Sequence, residues 1–133
     1  MGVLIDACVL IDIATQDAVW AAWSETALAQ AAEDQVLVIN PLIYAEVSVA
    51  FLRIEDLDAA LPKGLFQREA LPYAAGFLAG KAHLAYRKRG GLRTTPLPDF
   101  YIGAHAAIAG HQLLTRDAQR FRTAFPSVRL IAP

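Results

Sequence analysis

The sequence predicts an α/β protein built on a mostly parallel sheet, and three observations carry that prediction. Short apolar runs, Val3-Leu4-Ile5, Val36-Leu37-Val38-Ile39 and Gln112-Leu113-Leu114-Thr115, recur along the chain. Runs this short and rich in β-branched residues read as strands buried on both faces of a parallel sheet. Longer stretches with helical periodicity separate them, which is the alternation of an α/β architecture. The first run ends directly in Asp6, and the third leads through Arg116 to Asp117. In open α/β sheets the carboxyl ends of the strands are where ligands bind, so acids there are candidates for chemistry. The competing reading of Asp6 is a cap on the following turn.

At 133 residues and 56% hydrophobic, the chain is expected to be a single domain, residues 1–133. Folding should bury roughly two thirds of its unfolded surface, so no disulfide or metal staple is needed. One cysteine, Cys8, excludes an internal disulfide. The apolar start is cut by Asp6 and has no cationic n-region, so a reducing cytoplasm is the expected compartment and no membrane partner is expected.

After the first strand, a helix pattern from about Gln16 to Asp34 places Trp20, Trp23, Ala27, Leu28 and Ala31 on one stripe. Val36 to Ile39 is the second strand. Asn40 then caps a helix whose first position is Pro41, where a missing N–H costs nothing. That helix, to about Arg53, is apolar except for Glu46, a carboxylate that must reach water or a cation. Glu55 to Leu61 is a second amphipathic helix, and Leu65 to Leu71 has the character of a short edge strand. From Pro72 a helix runs to about Arg89 and stops at Gly90-Gly91, with small residues Ala74, Ala75, Gly76, Ala79 and Gly80 that let another helix approach closely. A Thr- and Pro-rich loop delivers Asp99 to the start of the next helix, which ends near Gly110. Gln112 to Thr115 is a strand, Phe121 marks a helical turn, and Ser127 to Ile131 is the last strand.

The net charge of −1 conceals an asymmetry. Up to Gly80 there are eleven acids and three bases, and beyond it two acids and nine bases. Such a split suggests a polyanion for the basic part, with Arg87, Lys88, Arg89, Arg93 and Arg116 as candidate contacts. For Arg87, Lys88 and Arg89 the helix dipole offers a second explanation, since cations complement a last turn; Arg93 lies beyond it.

If the connections are right-handed, Glu46 and Asp99 project over the same sheet edge as Asp6 and Asp117. Two charges ~5 Å apart repel by about 3 kcal/mol at an effective dielectric of ~20, so such a cluster must be neutralised by protons or cations. Oxygen ligands without His or Cys at ligand spacing point to Mg²⁺ or Mn²⁺. An all-carboxylate site of that kind suits phosphodiester hydrolysis. With a metal to activate water, no histidine base is needed, and His83, His105 and His111 read as surface or satisfied buried residues. Cys8 reads as a small buried hydrophobe, and Asp12 as a solvated acid on the first helix.

These residues resemble a family. Ile5-Asp6 with Val9-Leu10-Ile11, Glu46 in its apolar helix, Pro98-Asp99-Phe100-Tyr101-Ile102, and Leu113-Leu114-Thr115-Arg116-Asp117 with Phe121 look like PIN-domain ribonucleases, most of all VapC-type toxins of bacterial toxin–antitoxin pairs. The likeness runs through essentially the whole chain, in order. It implies a PIN-like three-layer α/β/α fold with a four- or five-stranded sheet, Mg²⁺-dependent endoribonuclease activity on RNA, and a cognate antitoxin that blocks the site. Carried over by position, the catalytic metal-binding acids are Asp6, Glu46, Asp99 and Asp117, with Thr115 in support. Cys8 departs from the pattern, standing where many members have Asn or Ser.

Rival readings fail on particular residues. A phospho-accepting signalling domain wants adjacent acids after the first strand and a Lys on a late strand, and neither is present. A haloacid-dehalogenase-type phosphatase needs a second Asp where Cys8 stands, and a Cys-based phosphatase needs an Arg where Ala14 stands. No glycine-rich phosphate loop occurs. A non-catalytic member of the same fold, acting only as a binding module, is the remaining alternative.

A mean hydropathy of +0.35 exceeds what one core of this size ordinarily hides. Phe51, Leu52, Leu57, Leu61, Leu65 and Phe66 are expected to line an apolar groove near the site, for the amphipathic tail of an antitoxin. A second copy packed through the small-residue helices, giving a homodimer, is the other expected use of the surplus.

Overall fold

The computed structural model describes residues 2–90 and 97–133. The strands are β1 (Val3–Ile5), β2 (Leu37–Ile39), β3 (Phe66–Arg68), β4 (Gln112–Leu114) and β5 (Leu130–Ile131). The helices are α1 (Ala7–Thr15), α2 (Ala21–Asp34), α3 (Pro41–Ser48), α4 (Ile54–Ala60), α5 (Tyr73–Lys88), α6 (Leu97–Ala109) and α7 (Gln119–Ala124). All five strands pair in parallel, in the order β3-β2-β1-β4-β5. Val3 stands opposite Leu37 on one side and Gln112 on the other. Every residue of β1 and β2 is buried, as the unbroken apolar runs require of a sheet covered on both faces.

The strand order reverses between β1 and β4. Connections to β2 and β3 run one way from β1, and the return to β4 and β5 runs the other, so right-handed crossovers place α1 to α4 on one face and α5 to α7 on the opposite one. Helix packing follows this division: α1 lies on α2 and α3, and α6 on α5 and α7, while α3 and α6 meet across the sheet edge. The result is a three-layer sandwich with a crevice at the carboxyl ends of β1 and β4.

Several local expectations change. The segment 7–15, which the hydrophobic pattern left unassigned, is α1, and Gln16, read as a helix start, is its left-handed C-cap at φ 52°. Helix α3 stops at Ser48, five residues short of Arg53, as the amides of Ala50 and Phe51 turn back to Val47 and Ser48. Its start agrees with the sequence: the Ile43 amide donates to Asn40 Oδ1 at 2.9 Å, with Pro41 in the first turn. Strand β3 is the edge expected within Leu65 to Leu71.

Burial corrects two further expectations. Asp12 is not solvated; it is 2% exposed. Leu57, Leu61 and Phe66 are core residues at 2% each, so they form the floor of the expected apolar groove and not its exposed face; Phe51, Leu61, Leu65 and Phe66 line one cavity. What remains at the surface there is Val49, Leu52, Ile54 and Leu65, beside a cavity of about 330 Å³ whose walls include Ile13, Phe51 and Leu65. The small-residue face of α5 does receive a helix, but it is α6 of the same chain. Ala75 and Ala79 are buried, and a Cβ on Gly76 would stand 3.1 Å from the Tyr101 hydroxyl.

Candidate functional site

Asp6 occupies the N-cap position of α1, yet its side chain makes no capping hydrogen bond. Instead it turns across the crevice to β4's continuation, where the Thr115 hydroxyl donates to Asp6 Oδ2 at 2.8 Å. Thr115 Oγ1 in turn accepts from the Asp117 amide at 3.0 Å, so one buried hydroxyl fixes both the first and the last acid. Cys8 also contributes. Its thiol donates to Asp6 Oδ2 at 3.4 Å and lies 3.7 Å from Thr115 Oγ1. The thiol thus takes the place of an oxygen donor with a longer, weaker bond. Burial, and then the neighbouring Asp6 charge, push the Cys8 pKa up to about 12.

Asp99 arrives in the first turn of α6, where the helix dipole favours an anion, and is 6% exposed. Asp117 follows β4 and is half-exposed. Arg120, one turn of chain beyond, joins them: Nη1 lies 2.8 Å from Asp99 Oδ2 and Nη2 2.6 Å from Asp117 Oδ2. Glu46 projects from α3 toward the same point. Burial first, then the charges of Asp6 and Asp99, raise its pKa to about 7. Burial likewise raises Asp6 and Asp99, with Arg120 opposing both. Asp6, Glu46, Asp99 and Asp117 are therefore brought into one electrostatic cluster at the crevice.

Glu46 Oε1 is buried and has no hydrogen-bond partner, alone in this among the described side chains. A buried anionic oxygen without a partner is costly, and a cation is what removes the cost. The donor set consists of carboxylate oxygens, which fits a hard divalent ion such as Mg²⁺ or Mn²⁺.

The candidate polyanion contacts are dispersed. Arg87, Lys88 and Arg89 are exposed at the end of α5, and Arg93 lies outside the described residues. Arg89 and Arg120 share a cavity of about 380 Å³ with Tyr86, Phe100, Gln119 and Thr123. Arg116 points elsewhere: its guanidinium grips Asp12 at 2.8 and 3.2 Å and lies over the Trp20 ring, 5.5 Å from its centroid. Ser24 completes the cage with a 2.9 Å bond to Asp12. Sequence reasoning passed over Arg120; its i, i+3 spacing from Asp117 was the available signal.

Glu69, His105 and His111 form a second titratable cluster. Asn40 Nδ2 lies 2.9 Å from His105 Nδ1, and the Gly2 amide donates to His111 Nδ1 at 2.9 Å. The Asn40 orientation is fixed because its Oδ1 already accepts from Ile43. Both rings therefore carry their proton on Nε2 and donate to Glu69 Oε1, at 3.2 and 2.8 Å. A neutral imidazole binding metal through Nε2 needs its proton on Nδ1, which these neighbours forbid. The trio is a hydrogen-bonded knot, and the histidines are satisfied buried residues.

Fold and site together define a parallel α/β protein with a carboxylate cluster at its topological switch point. The PIN domain family model matches residues 3–126, and the chain belongs to that family. No curated protein matches it significantly. Among solved structures, VapBC2 from Rickettsia felis, bound to a DNA fragment from its promoter, has a chain similar at TM-score 0.76 and 14% identity, covering 100% of this chain and 99% of that one. VapBC-1 from nontypeable Haemophilus influenzae is similar at 0.71 and 17%, covering 99% and 98%. FitAcB from Neisseria gonorrhoeae is similar at 0.68 and 16%, covering 97% and 96%. At these identities the likeness establishes the shared fold. No helix among the described residues is long and apolar enough to cross a membrane.

Proposed function

We propose that this PIN domain is a VapC-type toxin, an Mg²⁺-dependent endoribonuclease of the cytoplasm that hydrolyses RNA phosphodiester bonds and is restrained by a cognate antitoxin. The observation that carries the reading is the unpartnered buried oxygen of Glu46 facing Asp6 and Asp99. Asp6, Glu46, Asp99 and Asp117 would hold the ion, with Mn²⁺ as a substitute. When bound, the metal supplies water activation and neutralises charge at the phosphoryl group. Thr115 and Cys8 hold the Asp6 carboxylate in place through hydrogen bonds. Arg87, Lys88 and Arg89 draw the RNA backbone toward an otherwise anionic crevice. Arg116 is already committed to Asp12, whose charge offsets its own, so it contributes little to RNA contact.

The likeness to chains from VapBC and FitAcB structures supports an antitoxin partner. Exposed Val49, Leu52, Ile54 and Leu65 offer it apolar surface. A homodimer would use the outer face of α5, where Tyr73, Phe77 and Leu84 are exposed, because the small-residue face is already covered by α6.

The test is incubation of the purified chain with a mixed cellular RNA pool, with Mg²⁺ and with chelator, beside Asp99→Asn. Cleavage that needs metal and is lost in the variant is the expected result. Metal binding without turnover would leave the non-catalytic binding module as the function.

A further inference from the structure

We propose that Arg120 is an internal counter-ion that occupies the carboxylate crevice until metal arrives, and that its expelled guanidinium then serves as an RNA phosphate contact. The inference rests on the metal-site reading above. Arg120 is the only cation among the described residues with charge-assisted bonds to two of the four acids, Asp99 and Asp117. Its charge also lowers the cost of ionising Asp6 and Glu46. A divalent ion held by Asp6, Glu46, Asp99 and Asp117 would draw on two of the same carboxylates that Arg120 now neutralises. Two cations sharing the same carboxylates repel, so an entering ion weakens the hold of Asp99 and Asp117 on Arg120 and favours its release.

The side chain has somewhere to go. Arg120 is 37% exposed and lines the 380 Å³ cavity that Arg89 also borders. Rotated into that space, it would stand beside a second guanidinium, with Gln119 and Thr123 as neutral hydrogen-bonding neighbours. Two arginines freed of carboxylate partners present the forked donors that bind phosphate. Metal loading would thus convert an acid-bound arginine into an RNA-facing one. Linkage then requires the reverse effect as well: RNA held by Arg120 must tighten the metal by the same factor.

The experiment measures Mn²⁺ affinity of the full chain by electron paramagnetic resonance, with and without a mixed-sequence, fully 2′-O-methylated oligonucleotide that resists cleavage. Wild type, Arg120→Ala, Arg120→Gln and Asp99→Asn are compared, with thermal melts to establish folding. Without oligonucleotide, Arg120→Ala and Arg120→Gln should each bind Mn²⁺ about tenfold tighter than wild type, a typical size for coupling between sites. In wild type, oligonucleotide should tighten Mn²⁺; in both variants that coupling should shrink to what the metal–phosphate contact alone supplies. Unchanged or weaker Mn²⁺ binding in folded Arg120→Ala and Arg120→Gln, with wild-type binding still sensitive to Asp99→Asn, overturns the role of Arg120 alone. Wild-type Mn²⁺ binding that is absent or indifferent to Asp99→Asn overturns the metal-site reading and this proposal with it.

Discussion

Glu46 shows how one carboxyl can oppose stability while serving a site. Its pKa of about 7 in the fold exceeds the ordinary 4.5, so the folded chain holds a proton that the unfolded chain releases. The sign follows directly. Below pH 4.5 Glu46 carries no penalty; between 4.5 and 7 metal-free stability falls as pH rises; above 7 the full penalty remains. Glu46→Gln should therefore raise the metal-free melting temperature at pH 8, by roughly 4 °C if about 1 kcal/mol is recovered, while cleavage is lost. A calorimetric scan at pH 8 and pH 5 checks it, because the gain should shrink at the lower pH. Cys8 is the opposite case, a reactive group kept inert. With its pKa at about 12, the native thiol should resist iodoacetamide at pH 8 and react only after denaturation. Labelling of the folded chain at the rate of a free thiol would contradict the buried Cys8–Asp6 contact.

Helix α1 was the element the sequence concealed. Cys8 to Ile13 is apolar nearly all round and includes β-branched Val9, Ile11 and Ile13, so no polar stripe marks a helix period. The structure explains the pattern: α1 is wedged between the sheet and α2, and its lone acid is turned inward to a partner a hundred residues away. No local signal pairs Asp12 with Arg116. The boundaries of α3 and the elements around it were legible where capping chemistry spoke, at Asn40 and Pro41, and illegible where the chain turned without Gly or Pro after Ser48. Because Asp12 is 2% exposed, Arg116→Ala should strand a buried charge and cost roughly 3 kcal/mol in denaturant melts. The double variant Asp12→Leu with Arg116→Met should recover much of that loss. If Arg116→Ala melted like wild type while RNA affinity fell, Arg116 would belong to the phosphate contacts instead.

For the molecule as a whole, strand order was beyond the reach of local pattern, though alternation of strands and helices was not. The apolar surplus shows the same limit: hydrophobicity located a cluster after Glu46 but could not tell core from surface. Leu57→Asp should unfold the chain, costing about 3 kcal/mol or more, whereas fully exposed Leu52→Asp should alter stability by less than about 0.5 kcal/mol. Chemical denaturation of the two variants separates them. The histidine knot reaches across this architecture, for Glu69 follows the edge strand β3, His105 lies in α6, and His111 leads into β4 and holds the amide that precedes β1. One carboxylate oxygen thus ties the end of the edge strand β3 to α6 and to the residue that leads into β4. Burial holds His105 below its usual pKa of 6.5, so its contribution is complete above that value and declines as pH falls. A proton on His105 would set Nδ1–H against the Asn40 amide, two donors face to face. Acid should therefore loosen this tie first, with amide exchange between β2 and β3 accelerating before that between β1 and β4.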